Sequence, residues 1–155
     1  MRRVDITAAL ERVAFDFFYR FSRFEFALKE NRYLKNEKPG KPAEPNWSKF
    51  VKCWESKYEL SEAAKKLIEA RPKQQMVGPG EMDFVLVSFD RSASDLSKVV
   101  RLAKVVRNNL FHGGKHGAEG WDDPDRTLFL LSTSIVVLDE LASLANLEAH
   151  YYQHY

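Results

Sequence analysis

Across residues 4–33, apolar side chains return with helical spacing. Leu10, Ala14, Phe17, Phe21, Phe24 and Leu28 follow i, i+3, i+4 and i+7 offsets and share one face of a helix at about 100° per residue. A second stripe, Phe15, Tyr19, Phe26 and Tyr33, falls on nearly the opposite side, beside a polar strip of Arg12, Asp16, Arg20 and Arg23. A helix that is apolar on two faces needs two neighbours to cover it. The second neighbour is either another helix of the same chain or a partner subunit.

Breakers then interrupt the pattern. Residues 35–45 (KNEKPGKPAEP) carry too many prolines and charges to continue a helix. Asn46 is placed to cap a short helix whose one face holds Trp47, Phe50, Val51, Trp54 and Tyr58, a spacing that makes both tryptophans core residues rather than exposed stacking platforms. Ser61 starts another helix that ends before Pro72, and Gly78-Pro79-Gly80 forms a turn. The apolar run at 84–89 has no decisive period. Ser92-Ala93-Ser94-Asp95 matches the capping-box spacing ahead of a helix burying Val99, Leu102, Ala103, Val106 and Leu110, with a stop at Gly113-Gly114. Asp122-Asp123-Pro124 supplies a capping Asp followed by Pro at the first helical position, and a long apolar helix follows through Leu128, Leu131, Ile135, Leu138 and Leu141. Repeats are not visible and strand signals are nearly absent. The pattern predicts an all-α helical bundle, with residues 1–155 forming a single domain.

Composition narrows the class. A 155-residue chain suits one domain with a genuine core, and 45% hydrophobic content excludes a disordered protein. One cysteine, Cys53, excludes an internal disulfide framework and a four-thiolate zinc site; a buried structural thiol is its expected role. The longest mostly apolar stretch, 128–138, is interrupted by Ser132, Thr133 and Ser134 and falls short of the about 18 residues a bilayer requires. Met1-Arg2-Arg3 reaches Asp5 and Glu11 before any apolar run, unlike a signal peptide. A cytoplasmic location without membrane contact is the expectation.

The net charge of +2, from 24 Lys and Arg against 22 Asp and Glu, is uninformative until it is read along the chain. Residues 96–118 hold five basic side chains (Lys98, Arg101, Lys104, Arg107 and Lys115), two histidines and no acid. Such a window suits phosphate, although a solvated helix face has the same composition. Its distal end adds chemistry. Arg107 brings a permanent cationic fork for phosphate oxygens, and His112 an imidazole able to give and take a proton near neutrality. Asn108 is a polar group able to orient either one. Together they form a minimal set for phosphodiester cleavage without a metal or other cofactor. Positions i and i+5 stand about 140° apart on an ideal helix, so Arg107 and His112 converge only where the helix ends or where two subunits pool residues.

Other signals are weaker. Gly113-Gly114-Lys115 is followed by His116 rather than Ser or Thr and lacks a preceding strand, which argues against a phosphate-binding P-loop. His112 and His116, or His150 and His154, have i, i+4 spacing but no further ligands nearby; the second pair reads as a frayed surface helix. Glu25 sits at the edge of the main apolar face, where a carboxylate either reaches water or pairs with Arg107 or Arg101.

Arg107-Asn108 followed by His112 has the form R-polar-x-x-x-H near a helix end. It resembles the signature of the HEPN superfamily (higher eukaryotes and prokaryotes nucleotide-binding domains). The aromatic helix Phe17-Phe18-Tyr19-Arg20-Phe21-Ser22-Arg23-Phe24-Glu25-Phe26-Ala27-Leu28-Lys29 and the block 107–115 resemble its plasmid- and phage-defence-associated branch. This resemblance implies a bundle of four to five helices that forms a homodimer, with two R-x4-6-H motifs meeting in a cleft. It also implies metal-independent endoribonuclease activity in toxin–antitoxin or antiphage defence, with a nucleotidyltransferase-like antitoxin as a partner. Carried over, Arg107 binds the scissile phosphate, His112 transfers protons and Asn108 is the polar residue after Arg. Arg101, Lys104 and Lys115 would hold RNA phosphates, with Glu25 in support. The alternative is a non-catalytic module of the same shape that binds nucleic acid or protein.

Overall fold

The computed structural model describes residues 6–112 and 123–152, apart from the His112 side chain. Their elements run α1 (Ala8–Glu30), α2 (Trp47–Trp54), α3 (Glu62–Glu69), β1 (Lys73–Val77), β2 (Met82–Leu86), α4 (Asp95–His112), α5 (Pro124–Leu144) and α6 (Glu148–Tyr151). The chain is therefore mostly helical, but the all-α expectation of four to five helices needs amending: six helices and a two-stranded antiparallel hairpin are present among the described residues.

Capping side chains set most helix starts. Thr7 Oγ1 accepts from the Leu10 amide, Asn46 Oδ1 from Lys49, Ser61 Oγ from Ala64 and Asp123 Oδ1 from Asp125 and Arg126. The start of α4 lies two residues beyond the anticipated Ser92, because Ser94 Oγ is the oxygen that accepts from the Ser97 amide. Helix α1 ends where Arg32 turns left-handed (φ 62°) and the Tyr33 amide donates back to Leu28. The loop after it returns through Asn46, whose amide donates to Tyr33 at 2.7 Å.

The core is one cluster. Phe17, Phe21, Phe24 and Leu28 of α1 meet Leu130, Leu131, Val137, Leu138 and Leu141 of α5, closed by Trp47 and Phe50 of α2, Leu67 of α3 and Val99, Leu102 and Val106 of α4. Phe24 is fully buried, stacked on Trp47 at 5.0 Å and edge-on to Phe50 at 5.5 Å and Tyr151 at 6.1 Å. Helix α5 is long and apolar enough to cross a membrane by length and composition alone, more so than its interrupted centre suggested. Here half of its apolar window is buried, as α1, α3 and α4 pack around it.

The second stripe of α1 is divided. Tyr33 lies beyond the helix and accepts from the Trp54 indole at 2.8 Å, while Phe26 packs against the His150 ring. Phe15 and Tyr19 remain exposed.

Two further expectations change. Cys53 is exposed on α2 rather than buried. The C-terminal turn is not frayed up to Tyr152: Tyr151 is buried, and its hydroxyl donates to Asp139 at 2.7 Å, on the carboxylate oxygen that Arg20 reaches at 2.6 Å. Arg23 donates to the His150 and Tyr151 carbonyls, and Asn31 meets His150 Nδ1 at 3.1 Å. His154 lies outside the described residues.

The hairpin pairs Lys73 with Leu86 through Val77 with Met82. At its turn the Gly78 amide donates to the Glu81 carbonyl at 2.8 Å; a Cβ on Gly78 would stand 2.8 Å from that oxygen, and Gly80 adopts φ 103°. Glycine is required at both positions. Buried Asn109 of α4 donates to the Lys73 carbonyl at 2.7 Å and fastens the hairpin to the helix that carries the basic residues.

Candidate functional site

Helix α4 presents two faces. Leu96, Val99, Leu102, Ala103 and Val106 face the core, and Ser97, Arg101, Lys104 and Asn108 recur every three to four residues along a face directed to α2. On α2 the amphipathic pattern leaves Ser48, Val51, Lys52 and Glu55 toward that face. The two helices thus bound a groove of about 590 Å³, within the range of ligand sites, with Gln74 of β1 at its side.

Charge in the groove is predominantly positive. Lys52, Arg101 and Lys104 stand against the single carboxylate of Glu55 among the lining residues. Arg101 donates one N–H to the Ser88 carbonyl at 3.0 Å and lies 5.8 Å from the Phe89 ring centre. Burial holds the Lys104 ammonium below the usual lysine pKa; the Arg107 and Lys35 charges add to this and Glu25 opposes it. Lys98 sits elsewhere, bonded to Asp95 at 2.8 Å across one turn.

Arg107 lies beyond the groove, partly buried. It donates to Glu25 Oε1 at 3.3 Å and to Asn108 Oδ1 at 3.0 Å, and its guanidinium carbon is 5.1 Å from the centre of the Phe21 ring. The same Glu25 oxygen accepts from the Trp47 indole at 3.1 Å. Of the two pairings open to Glu25 from sequence, the one with Arg107 is present. Around these groups Phe18, Phe21, Ser22, Glu25, Arg107 and Phe111 enclose a second, smaller hollow of about 270 Å³.

Helix α4 continues through His112, so the five-residue step from Arg107 retains its rotation of about 140° about the helix axis. The structure joins Arg107, Asn108 and Glu25 and sets Arg101 and Lys104 together in the neighbouring groove. It does not place Arg107 and His112 on one face of a single protomer. The His112 side chain, the Gly113-Gly114 stop, Lys115 and His116 lie outside the described residues.

The sequence alone gives Phe18, Ser22, Trp47 and Phe111 no place in the site. Their signal was positional: Phe18, Ser22 and Glu25 step along one strip of α1, and Phe111 lies one turn after Arg107. Trp47 was assigned to the core, which is true of its ring; its N–H is the polar handle that reaches Glu25. Among the described residues no three His, Cys, Asp or Glu side chains gather into a metal-binding group. No protein-family model matches the chain, and no curated protein or solved structure shows significant similarity to it.

Proposed function

We propose that the protein is a metal-independent endoribonuclease of the HEPN type, active as a homodimer in toxin–antitoxin or antiphage defence. The observation that carries this reading is Arg107, oriented by Glu25 and Asn108 beside a cationic groove, five residues before His112 on the same helix. Arg107 stabilises the charge that builds on the scissile phosphate. His112 takes the proton of the 2′-hydroxyl as that oxygen bonds to phosphorus, or protonates the departing 5′-oxygen as the P–O5′ bond breaks. The products are a 2′,3′-cyclic phosphate and a 5′-hydroxyl. Lys104 and Arg101 hold flanking phosphates, with Lys115 assigned the same role from sequence. Two copies of the motif answer the rotation between Arg107 and His112, because the His of one protomer then serves the Arg of the other. Exposed Phe15 and Tyr19 of α1 offer apolar surface for such an association.

One observation favours a second reading. The Glu25 carboxylate partly neutralises Arg107, as suits a non-catalytic module that binds nucleic acid through Arg101 and Lys104. Incubation of a mixed RNA pool in EDTA separates the two. Cleavage by the wild type, lost in Arg107→Ala and in His112→Ala, supports the nuclease. Salt-dependent RNA binding without cleavage supports the module. Equal cleavage by all three proteins removes Arg107 and His112 from the mechanism.

A further inference from the structure

The hollow next to Arg107 has a composition that the cleavage chemistry does not use. Phe18 and Phe111 stand with ring centres 5.3 Å apart and stay 43% and 49% exposed, although the core beneath them is closed. A cation lies inside this aromatic lining: Arg107 sits over Phe21, and the Glu25 carboxylate and Ser22 hydroxyl add polar edges. Exposed rings next to a fixed cation suit a flat, electron-rich ring joined to an anion. The volume of about 270 Å³ is far too small for a duplex. The hollow adjoins the larger groove: Trp47 lines the groove and bonds to Glu25 in the hollow, and Asn108 lines the groove and bonds to Arg107.

We propose that this aromatic hollow receives one unpaired nucleobase of single-stranded RNA, whose sugar–phosphate backbone then runs along the groove between α2 and α4. The base stacks on the open faces of Phe18 and Phe111. The phosphates that follow meet Arg101, Lys104 and Lys52. Stacking needs an open face on the base, so paired RNA is discriminated against by geometry rather than by sequence. This deepens the ribonuclease reading and rests on it only in placing the base beside a scissile phosphate.

The test uses a fluorescein-labelled 2′-O-methyl decamer, which has no nucleophilic hydroxyl and stays intact. Wild-type protein is expected to bind it on the order of tenfold more tightly than an abasic chain of the same length or the same sequence in a duplex. Phe18→Leu and Phe111→Leu, which keep apolar bulk but remove the ring face, are expected to abolish most of that preference while leaving the melting temperature unchanged. Equal affinity for intact and abasic chains, or unchanged preference in both variants, overturns the proposal. Loss of self-association in the Leu variants by light scattering, with decamer affinity unaltered, overturns it too, because the rings would then face a second copy. RNA cleavage is measured separately. Ring-dependent binding without cleavage removes the nuclease reading alone, and cleavage with ring-independent binding removes only this one.

Discussion

One carboxylate oxygen, Glu25 Oε1, lies 3.1 Å from the Trp47 indole nitrogen and 3.3 Å from the Arg107 guanidinium. A single acceptor on α1 therefore fixes a donor from α2 and a donor from α4. The residue that looked misplaced on an apolar face is the joint between three helices. Glu25→Ala leaves the Trp47 N–H without its acceptor and is expected to destabilise the protein by about 1–3 kcal/mol, read from urea unfolding. Glu25→Gln retains an acceptor oxygen but frees the Arg107 charge. It should fold normally and bind RNA several-fold more tightly at low salt.

Arg107→Lys separates charge from shape. The ammonium keeps one positive charge but cannot donate to Glu25, Asn108 and a phosphate as a planar fork. In the nuclease reading, cleavage is expected to fall by at least about tenfold, the effect of losing roughly one charge-assisted hydrogen bond at the transition state. Thermal stability should change little. Cleavage at the wild-type rate would show that only the charge matters.

Lys104 predicts effects of opposite sign on stability and binding. Its folded pKa lies below its unfolded one because of burial, so the folded state disfavours the charged form. Stability should therefore rise as pH climbs through the lowered value toward the ordinary lysine value, where the effect levels off. RNA affinity should fall over the same alkaline range. Lys104→Met is expected to raise the melting temperature while reducing the slope of log affinity against log salt by about one phosphate contact. A variant that loses stability and keeps its salt slope would count against Lys104 as a phosphate ligand.

Tyr58 tests the opposite sign. Burial, helped by the charges of Glu140 and Asp95, pushes its phenol up to about 12. Above the unfolded tyrosine value of about 10 the unfolded chain ionises first, so stability is lost as pH rises toward 12. Tyr58→Phe should flatten that alkaline loss. Its hydroxyl is also buried without a hydrogen-bond partner among the described residues, so the change at neutral pH is expected to be neutral or stabilising by about 1 kcal/mol. Chemical denaturation at neutral and alkaline pH reads both effects.

Phe24 tests the core. It touches Trp47 and Phe50 of α2 and Tyr151 of α6, and so ties both elements to α1. Phe24→Ala is expected to cost about 3–5 kcal/mol, a large share of a typical domain's stability. Loss of the Trp47 fluorescence environment at a lowered denaturant midpoint is the readout.

Most of the helices were legible because local chemistry and burial agree. Asn46, Ser61 and Asp123 cap where their side chains suggested, and the Phe17–Phe21–Phe24–Leu28 stripe is buried as its period required. The hairpin was not legible, because Lys73-Gln74-Gln75 lacks strand composition and much of the hairpin's apolar surface stays exposed; a buried hydrogen bond from Asn109 fastens it to α4. The tail was misread for a similar reason. Tyr151 is held by Asp139 and by contacts to α1 more than 100 residues away, which no local pattern contains. At the candidate site, residue types pointed to Arg107 and Glu25, whereas the aromatic hollow depends on how α1 and α4 cross. Sequence spacing shows such a crossing only one helix at a time.

The Arg20–Asp139–Tyr151 network also bears on how the chain reaches its native state. Arg20 and Asp139 are separated by 119 positions, and Arg23 reaches a carbonyl 128 positions away. The phenylalanine face of α1 thus waits for α5 and α6, which are made well after it. On a ribosome, a nascent chain stalled before Asp139 would display Phe17, Phe21 and Phe24 without their final cover, a ready target for holding chaperones. Closing so long a loop is expected to slow folding relative to a helical chain held by local contacts alone, because the entropy of closure precedes the packing that offsets it.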